Sequence, residues 1–575
     1  LQRLGFRVTD PVSGGTPAHA SATLATDLDS ELPNHEANAA GMPPQGCPMG
    51  DKDEPAVRES EVDDIIVAQE LRERLVGQVE KLHREGKATS ADVAKARSIA
   101  ASYENEFRLH LKPTDYLRET IIPAYDVALK PDAPPSILPR MRRVPSTKRS
   151  VLRDVLDERV KEKVLQWLPK GATSEYASNA FLVSKPGKDP EVHGLDAHRL
   201  VVSHVEINSH TINHTFPVPH PESLNTMLQG GSFYVSLDVQ SAYYQRRLTD
   251  RAQKLFTIQT PYGFLQPTRL PMGAKNSGHA WMAVVPHLCG AHYLKTAATW
   301  MDDLLILGNS VTDLLNVLED VLHNAKQLNL KFGIRKSAFA ATEVVWCGRR
   351  YGGGGWAHLQ SRAERLRDWP VPSNAAQLQS WLAAVAWFND TIPQLATIAA
   401  PLQHIVKQAR RLTRGGHGRS TDMKRVQLKD VGFERRHEQC IIDITDQLMA
   451  ASEETHALAG NDEVYALMTD ASLEGIGAVL VKVAPPETDA RQALREGKAS
   501  LVRCWSRTTR ETETRYDVVQ LEAHALIEGL LKFEDLLKMN PHPVQLLVLY
   551  YIPTSPFQTN QTDFQSLNHR IFLSY

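Results

Sequence analysis

Residues 299–308 read Thr-Trp-Met-Asp-Asp-Leu-Leu-Ile-Leu-Gly and place two adjacent carboxylates, Asp302 and Asp303, between apolar runs. The flanks, from Ala297 to Met301 and from Leu304 to Leu307, are typical of short buried strands joined by a turn. An aspartate pair in an apolar hairpin is costly to bury unless it is paired or binds a metal ion. Taken alone, the stretch is explained more simply by a polar turn with two exposed aspartates. A metal site becomes the favoured interpretation only when candidate site residues elsewhere in the chain are considered with it.

The composition limits the classes of function. At the usual domain size the chain accommodates about three to four domains, and its hydrophobic content of 42% suffices for sizeable cores. The net charge of −2 gives no overall basic signal for nucleic acid, so such contacts must come from local patches. Five cysteines without CxxC spacing favour a reducing compartment over disulfides or a zinc finger. The sequence shows no signal peptide or transmembrane run, and because it starts with Leu we expect a truncated N-terminus.

The first quarter of the chain precedes any candidate chemistry. Residues 1–55 are rich in Gly, Pro, Ser, Ala and Asp and are predicted to be disordered. Residues 56–146 contain apolar residues at helical spacing between Ile65 and Leu82, and a helix start at residues 89–92. We interpret this region as a helical linker. A compact unit is expected from about residue 147.

Three segments of that unit carry candidate site residues. The strands Ala180–Ser184 and Arg199–Val202 predict a hairpin with basic residues that could bind phosphates, although a solvated basic turn explains them equally well. An apolar strand then ends at Asp238, where a carboxylate is well placed to meet the Asp302 pair. Further on, residues 270–278 lead into an apolar helix. Gly273 in this segment would let a ligand approach the backbone closely.

Five segments in this order resemble the reverse transcriptase of LTR retrotransposons of the gypsy class, over residues of about 150–405. They are Ser236–Gln245, Leu270–Ser277, Trp300–Asp303, Leu330–Phe339 and Val345–Gly348. The sequence departs from the family at Trp300, where Tyr is usual, and at Met272, where Phe is usual. The resemblance implies an α+β multidomain protein. Its parts would be a right-hand polymerase of fingers, palm and thumb with an antiparallel palm sheet, then a connection segment and an RNase H-like α/β domain.

The resemblance implies RNA-directed DNA polymerisation, in which an RNA template and a DNA primer are extended with dNTPs. This in-line displacement uses two divalent cations about 3.5–4 Å apart, here Mg²⁺ with Mn²⁺ as the alternative. Asp238 and Asp302 are the expected bridging ligands, with Asp303 as a looser third. Asp250 is a weaker alternative ligand. Lys336 would donate a proton to pyrophosphate, although a surface lysine explains it equally well.

The resemblance also implies a nucleotide pocket. The triphosphate would be held by three basic side chains of the finger hairpin, and Tyr243 would lie under the sugar and exclude a 2′ hydroxyl. The alternative for Tyr243 is a core aromatic at helical spacing. The implied nucleotide-binding residues are Lys185, Lys188, Arg199, Tyr243, Met272, Gly273 and Lys275.

Residues 464–526 resemble the RNase H domain that follows in the same family. Asp470 closes a strand and Glu522 lies on an apolar helix, and both would bind metal and act on the RNA–DNA hybrid. A third carboxylate is expected after the strand Pro543–Val548, but residues 549–556 contain none. Asp563 lies farther from Glu522 in the sequence than one intervening helix and one strand require. We therefore expect weak or absent RNase H activity, and favour an altered frame near residue 549, or a splice error, over a functional insertion.

The predicted division of the chain follows from these segments. It comprises a disordered segment (1–55), a helical linker region (56–146), fingers and palm (147–356), thumb and connection (357–410), a linker (411–460), an incomplete RNase H-like domain (461–548) and a divergent tail (549–575). The competing hypothesis is a decayed, non-catalytic fragment that keeps the polymerase-like fold. We expect a cytoplasmic location, free or in a virus-like particle, and no membrane partner. The oligomeric state stays open.

Overall fold

The computed structural model describes residues 55–550 and 571–573, apart from short internal stretches. Those stretches are 118–119, 186, 218, 220–223, 225–226, 229–230, 414–419, 459–463, 484–489 and 540–544. The chain divides into residues 1–59 and residues 60–575, and of the first unit only the start of a helix is described. The predicted disorder before residue 55 and the candidate Asp563 both lie outside the described residues.

The described residues form both strands and helices throughout the chain. The strands are β1 Phe107–Arg108, β2 Leu165–Trp167, β3 Ser178–Ser184, β4 His198–Ser203, β5 Phe233–Val239, β6 Ile258–Thr260, β7 Gly263–Pro267, β8 Ala297–Trp300, β9 Asp303–Gly308, β10 Phe332–Ala341, β11 Glu343–Trp346, β12 Arg349–Gly352, β13 Gly355–His358, β14 His456–Ala457, β15 Val464–Ala471, β16 Gly475–Val483, β17 Ala499–Thr508, β18 Gln545–Tyr550 and β19 Ile571–Leu573. The α-helices are α1 Pro55–Leu71, α2 Gly77–Arg84, α3 Ser90–Tyr103, α4 Pro113–Leu117, α5 Ser146–Lys161, α6 Pro190–His193, α7 Val205–His210, α8 Asp250–Leu255, α9 Ser277–Met282, α10 Val285–Cys289, α11 Val311–Leu328, α12 Gln360–Arg367, α13 Ala375–Val385, α14 Leu395–Ile398, α15 Ala400–Leu412, α16 Ser420–Met423, α17 Arg435–Glu453, α18 Ala490–Arg495, α19 Val518–Lys532 and α20 Glu534–Met539.

The palm sheet has the strand order β1-β10-β5-β9-β8. Its neighbours are antiparallel except for β1, which runs parallel to β10. Successive side chains of a strand point to opposite faces, so Val235 and Leu237 pack with helix α11 while Tyr234 packs on the other face with Leu305. Both faces of the palm sheet are therefore buried along its middle, and polar side chains are concentrated where β5 ends.

The finger sheet has the order β2-β7-β6-β3-β4 and encloses its own apolar cluster with helix α5. The predicted hairpin strands lie within β3 and β4, which pair in antiparallel register. They are joined by helix α6 and a 3₁₀ turn at Gly194–Ala197, a longer connection than the predicted turn. The basic residues therefore lie on a structured excursion between the two strands.

Residues 56–146 are not a linker, which corrects our interpretation of this region. Val67, Leu75 and Ile99 belong to the same buried cluster as the palm strands and helix α11. Strand β1 extends the palm sheet beside β10. The helical spacing predicted a buried face, and that face is covered by the palm because burying it there removes apolar side chains from water.

The second predicted linker, residues 411–460, is also largely structured. Helix α17 buries Ile444 and Leu448 in one cluster with helices α12, α13 and α15. Strand β14 completes a four-stranded sheet of order β11-β12-β13-β14. The charged residues of α17, among them Arg435, Glu438 and Asp443, are exposed. Among the described residues, no helix is both long and apolar enough to cross a membrane.

The last sheet has the order β17-β16-β15-β18-β19, with β15 and β18 parallel. Helix α19 packs on β15 and β16, where a Cβ on Gly529 would lie 2.9 Å from the Cβ of Ala478. The strand predicted at Pro543–Val548 is found as β18, shifted by two residues. Strand β19 pairs with β18, so part of the predicted divergent tail belongs to this sheet.

Candidate active site

Asp238 and Asp303 face each other across the centre of the palm sheet. They are directly opposed in the antiparallel register of β5 and β9, so their side chains lie on the same face. Asp302 lies in the turn before β9, and its carbonyl accepts a hydrogen bond of 2.9 Å from the backbone N–H of Val239. The prediction of two aspartates in one turn is thus corrected, because Asp303 already belongs to the strand.

Burial and neighbouring carboxylates raise the pKa values of Asp238 and Asp303. Burial raises the pKa of Asp238, which is 8% exposed, and the neighbouring charge of Asp302 raises it further. The pKa of Asp303 is raised by burial and then by the charges of Asp302 and Asp238. Lys336 opposes both shifts, since its Nζ donates to Asp238 Oδ1 at 3.1 Å. The cluster is a concentration of negative charge that favours a cation.

Two buried indoles hold the turn between β8 and β9. The Nε1–H of Trp281 donates to the Met301 carbonyl at 2.7 Å, and that of Trp346 donates to the Asp303 carbonyl at 3.0 Å. Met301 has φ 56°, a left-handed conformation that is uncommon for a residue other than glycine. The sequence interpretation missed both tryptophans. A buried indole N–H usually finds a hydrogen-bond acceptor. This tendency was the one signal in the sequence that could have pointed to the two tryptophans.

Gly333 brings strand β10 close to Asp238. A Cβ at this position would lie 2.6 Å from Gln240 Oε1 and 3.0 Å from Asp238 Oδ2. A side chain here would therefore displace the carboxylate or its neighbour. Gly333 is opposite Asp238 in the register, which fixes the start of the segment that carries Lys336.

Asn208 of helix α7 holds the predicted nucleotide-pocket segment. Its Nδ2 donates to the Gly273 carbonyl and its Oδ1 accepts from the Lys275 N–H, both at 2.9 Å. Gly273 has φ 84°, which favours glycine, and Met272 is half exposed. The Lys275 Nζ donates to a backbone carbonyl, and helix α9 starts at Ser277, within the segment expected to lead into a helix. These contacts fix the backbone of the segment and leave Met272 open to a ligand.

Tyr243 lies where three segments meet. A Cβ on Gly278 would lie 3.8 Å from the Tyr243 hydroxyl oxygen and 3.9 Å from Met301 Sδ. Burial raises the pKa of Tyr243, and the charge of Asp302 raises it further. Tyr243 also packs against the palm cluster. It is therefore both a partly buried aromatic and a neighbour of the carboxylates.

The two finger lysines share one counter-ion within the fingers and form no ion pair with the palm among the described contacts. Lys185 and Lys188 both form ion pairs with Asp196, the former at 2.5 Å. These two partners lower the pKa of Asp196 to about 2. Arg199 is exposed on β4 opposite Val183. Among the described contacts, none joins these three basic residues, or the exposed Asp250, to Asp238.

The second acidic site lies on the last sheet. Asp470 of β15 and Glu522 of α19 are close enough that the charge of Asp470, after burial, raises the pKa of Glu522, which reaches about 7. Glu522 is 5% exposed, its carboxylate accepts from the Ala471 N–H, and its Oε2 has no partner among the described residues. The Nε2 of Gln394, which precedes α14, donates to Asp470 Oδ2 at 2.5 Å. Gln394 was not anticipated, because no local pattern points to a partner so far away in sequence.

Within the described ranges, no three His, Cys, Asp or Glu side chains are arranged so that they could hold a metal ion. The palm carboxylates still fit a divalent cation in their chemistry. Mg²⁺ prefers oxygen ligands and is commonly bound through one or two carboxylates plus substrate phosphates. The orphan Oε2 of Glu522 fits a cation in the same way.

Comparison with known proteins follows the same division of the chain. Residues 191–351 match the family described as reverse transcriptase (RNA-dependent DNA polymerase), and residues 433–545 match the RNase H-like domain found in reverse transcriptase. The Pol polyprotein of transposon 297 of Drosophila melanogaster is 21% identical over 372 residues, covering 65% of this chain and 32% of the relative. That of transposon gypsy, from the same organism, is 22% identical, covering 67% and 35%. The chain carries a reverse transcriptase domain followed by an RNase H-like domain, and it is similar to retrotransposon Pol polyproteins.

Solved structures support the fold of this reverse transcriptase–RNase H chain. The foamy viral protease-reverse transcriptase in complex with an RNA/DNA hybrid matches with a TM-score of 0.64 at 16% identity, covering 87% of this chain and 58% of that one. A form of it with double-stranded DNA matches with a TM-score of 0.65, covering 88% and 77%. The right-hand polymerase with antiparallel palm and following RNase H-like domain is thereby confirmed. The chain spans about a third of the length of the Drosophila relatives it matches.

Proposed function

We propose that this chain is an RNA-directed DNA polymerase that extends a DNA primer with dNTPs by two-metal nucleotidyl transfer. The observation that carries the proposal is the opposed pair Asp238 and Asp303, with Asp302 in the adjoining turn. The reverse transcriptase family match covers all three residues. The foamy viral relative has been solved with an RNA/DNA hybrid and with double-stranded DNA, which supports the same class of partner for this chain.

The chain's own groups have separate tasks in this reaction. When bound, two Mg²⁺ ions would activate the primer 3′ hydroxyl and stabilise the leaving pyrophosphate. Asp238 and Asp302 would hold both ions, and Asp303 would contribute as a third carboxylate. The 3′ hydroxyl would lose its proton to water as its oxygen bonds to the α-phosphorus. As the bond to pyrophosphate breaks, the Lys336 ammonium would donate a proton to the leaving oxygen. The hydrogen bond between Lys336 and Asp238 supports this role.

The nucleotide would be held between the palm and the fingers. Tyr243 would lie under the sugar, beside Met272 and the Gly273 backbone. Lys185, Lys188 and Arg199 would hold the triphosphate once the finger excursion folds over it, which requires the two lysines to leave Asp196. Template contacts would be made to the sugar-phosphate backbone, because a polymerase has to accept every sequence.

We propose that the RNase H-like domain is impaired. Asp470 and Glu522 are brought together, and both would bind metal, but the two-metal site needs at least a third carboxylate. The cytoplasmic location expected from the resemblance stays a prediction.

The test is primer extension on an RNA template with the whole chain. Asp302→Asn removes a ligand charge at nearly constant volume, so we expect extension to fall by at least about 10²–10³-fold with an unchanged melting temperature. Asp250→Asn is the matched control, because it removes an exposed carboxylate away from the site. Normal extension by a folded Asp302→Asn protein would overturn the site. Absence of extension in the unchanged chain would favour the decayed, non-catalytic fragment.

A further inference from the structure

The segment that carries Lys336 leaves the palm sheet as a bulge. Gly333 of β10 pairs with Asp238, and the next registered pair is Ala338 with Ser236. Five residues of β10 therefore correspond to two of β5, and Lys336 lies within the extra length. Strand β1 covers the other edge of β10 only at Phe332 and Gly333. The bulge lacks ladder partners on both sides, and such features commonly re-aim a side chain beside an active site.

Arg74, from the N-terminal helices, binds the bulge on both sides of Lys336. Its Nη1 donates to the carbonyls of Arg335 and Ser337, each at 3.2 Å. Gln78, one helical turn later, donates to the Ala340 carbonyl at 3.4 Å. These donors bind backbone carbonyls within and just after the bulge. The backbone immediately before and after Lys336 is thus held by one guanidinium.

The helix that carries Arg74 is itself irregular. Residues Arg72–Val76 form a π-helical turn between α1 and α2. Such turns are rare and frequently lie at functional sites. Leu75 and Val76 of this turn are buried in the palm cluster, which anchors the turn against the sheet.

We propose that Arg74 is a positioning residue for Lys336, and this inference rests on the proposed polymerase function. The Lys336 side chain is 74% exposed, so packing contributes little to its position. Its ammonium reaches Asp238 because the bulged backbone holds its Cα at the right place. Arg74 sets that backbone, and the N-terminal helices are accordingly part of the catalytic half of the chain.

A bland alternative is that Arg74 only covers an exposed strand edge. If Arg74 only covered the edge, its substitution would lower the free energy of unfolding. Its effect on kcat would then be the same whether or not Lys336 is present. A positioning role makes the two residues a unit, whose substitutions are not additive. The two roles therefore differ in a double-mutant cycle.

The experiment measures kcat and KM for dNTP in primer extension by the full chain. We expect Arg74→Ala to lower kcat about tenfold, with KM for dNTP and Kd for the hybrid unchanged. Arg74→Lys should restore part of the loss, since an ammonium can still donate to one carbonyl. Arg72→Ala is the matched control: Arg72 lies in the same π-helical turn, is 66% exposed and contacts Glu104 at 3.9 Å. We expect it to leave kcat unchanged.

The cycle is completed in a Lys336→Gln background, where Arg74→Ala should have no further effect on kcat. Equal fold-losses in both backgrounds would overturn the inference, and so would a Lys336→Gln protein with normal kcat. In either case a loss of extension in Asp302→Asn leaves the polymerase assignment intact. If Arg74→Ala does not fold, Arg74→Lys is carried through the same cycle with the same two outcomes.

Discussion

Asp238 and Asp470 occupy the same position in two different sheets, yet their surroundings differ. Each is the penultimate residue of a central strand, β5 in the palm and β15 in the RNase H-like sheet. Opposite Asp238 lies Asp303, whereas opposite Asp470 lies Gly477. An aspartate at the end of a strand therefore does not reveal where its carboxylate partner lies, which is across the ladder for Asp238 and on helix α19 for Asp470.

The two sites also differ in where their counter-groups come from. Asp238 is bound by the Lys336 ammonium of its own sheet, which offsets part of the negative charge. Asp470 accepts from the neutral amide of Gln394, which belongs to the helical region between the two sheets. Gln394 has φ 57°, and the neighbouring Thr397 packs so closely on Gly475 that no side chain fits there. The charged partner of Asp238 thus comes from the same sheet, while the partner of Asp470 comes from a neighbouring region.

The largest expected difference between the two sites is in turnover. We expect the chain to extend primers but to cleave the RNA strand of an RNA–DNA hybrid weakly or not at all, because two carboxylates do not complete a two-metal site. The measurement is hybrid cleavage with Mg²⁺ and, in parallel, with Mn²⁺, on the preparation used for extension. Asp470→Asn is the control that reveals background nuclease. Robust cleavage that is lost on Asp563→Asn would show that Asp563 completes the site and that residues 549–561 are an insertion.

A smaller effect is expected on sugar selection, which we assign to the palm site. Tyr243→Val should let ribonucleotides compete with deoxyribonucleotides. The ratio of kcat/KM for deoxyribonucleotides to kcat/KM for ribonucleotides should fall by roughly 10–100-fold. The reason is steric, since a smaller side chain leaves room for a 2′ hydroxyl between residues 243 and 278. Tyr243→Phe is the matched control and should keep the ratio, because the ring remains. If Tyr243→Val leaves the ratio unchanged, the residue serves only the core.

Local patterns predicted individual elements better than their partners. The Asp302 hairpin and the strand before Asp238 follow from apolar runs that local sequence contains. The apolar spacing of residues 65–82 predicted a helix with a buried face, but spacing cannot say which surface covers it. Helix α17 was missed although Ile444, Leu448 and Ala451 recur at three and four, because its charged residues dominated the interpretation. Arg74 and Gln394 act over 261 and 76 residues of sequence, where only the fold brings donor and acceptor together.

The smallest expected effect is on the free energy of unfolding. Its dependence on pH distinguishes the RNase H-like site from the palm site. The pKa of Glu522 is about 7 in the folded chain against an ordinary value of 4.5, chiefly because of burial. Glu522 therefore contributes stability that is fully present below about pH 4.5 and is lost as the pH rises through about 7.

In metal-free protein, Glu522→Gln should raise the melting temperature by a few degrees at pH 8 and hardly at all at pH 4.5, since the amide never ionises. Adding Mg²⁺ should stabilise the unchanged chain more than the variant, because a ligand that binds only the folded state stabilises it. Glu511→Gln, an exposed carboxylate before the same helix, is the control and should give pH curves parallel to those of the unchanged chain. Parallel curves for Glu522→Gln as well would contradict the raised pKa. An equal Mg²⁺ response in both proteins would remove Glu522 from the metal site and leave Asp470 as its one supported ligand.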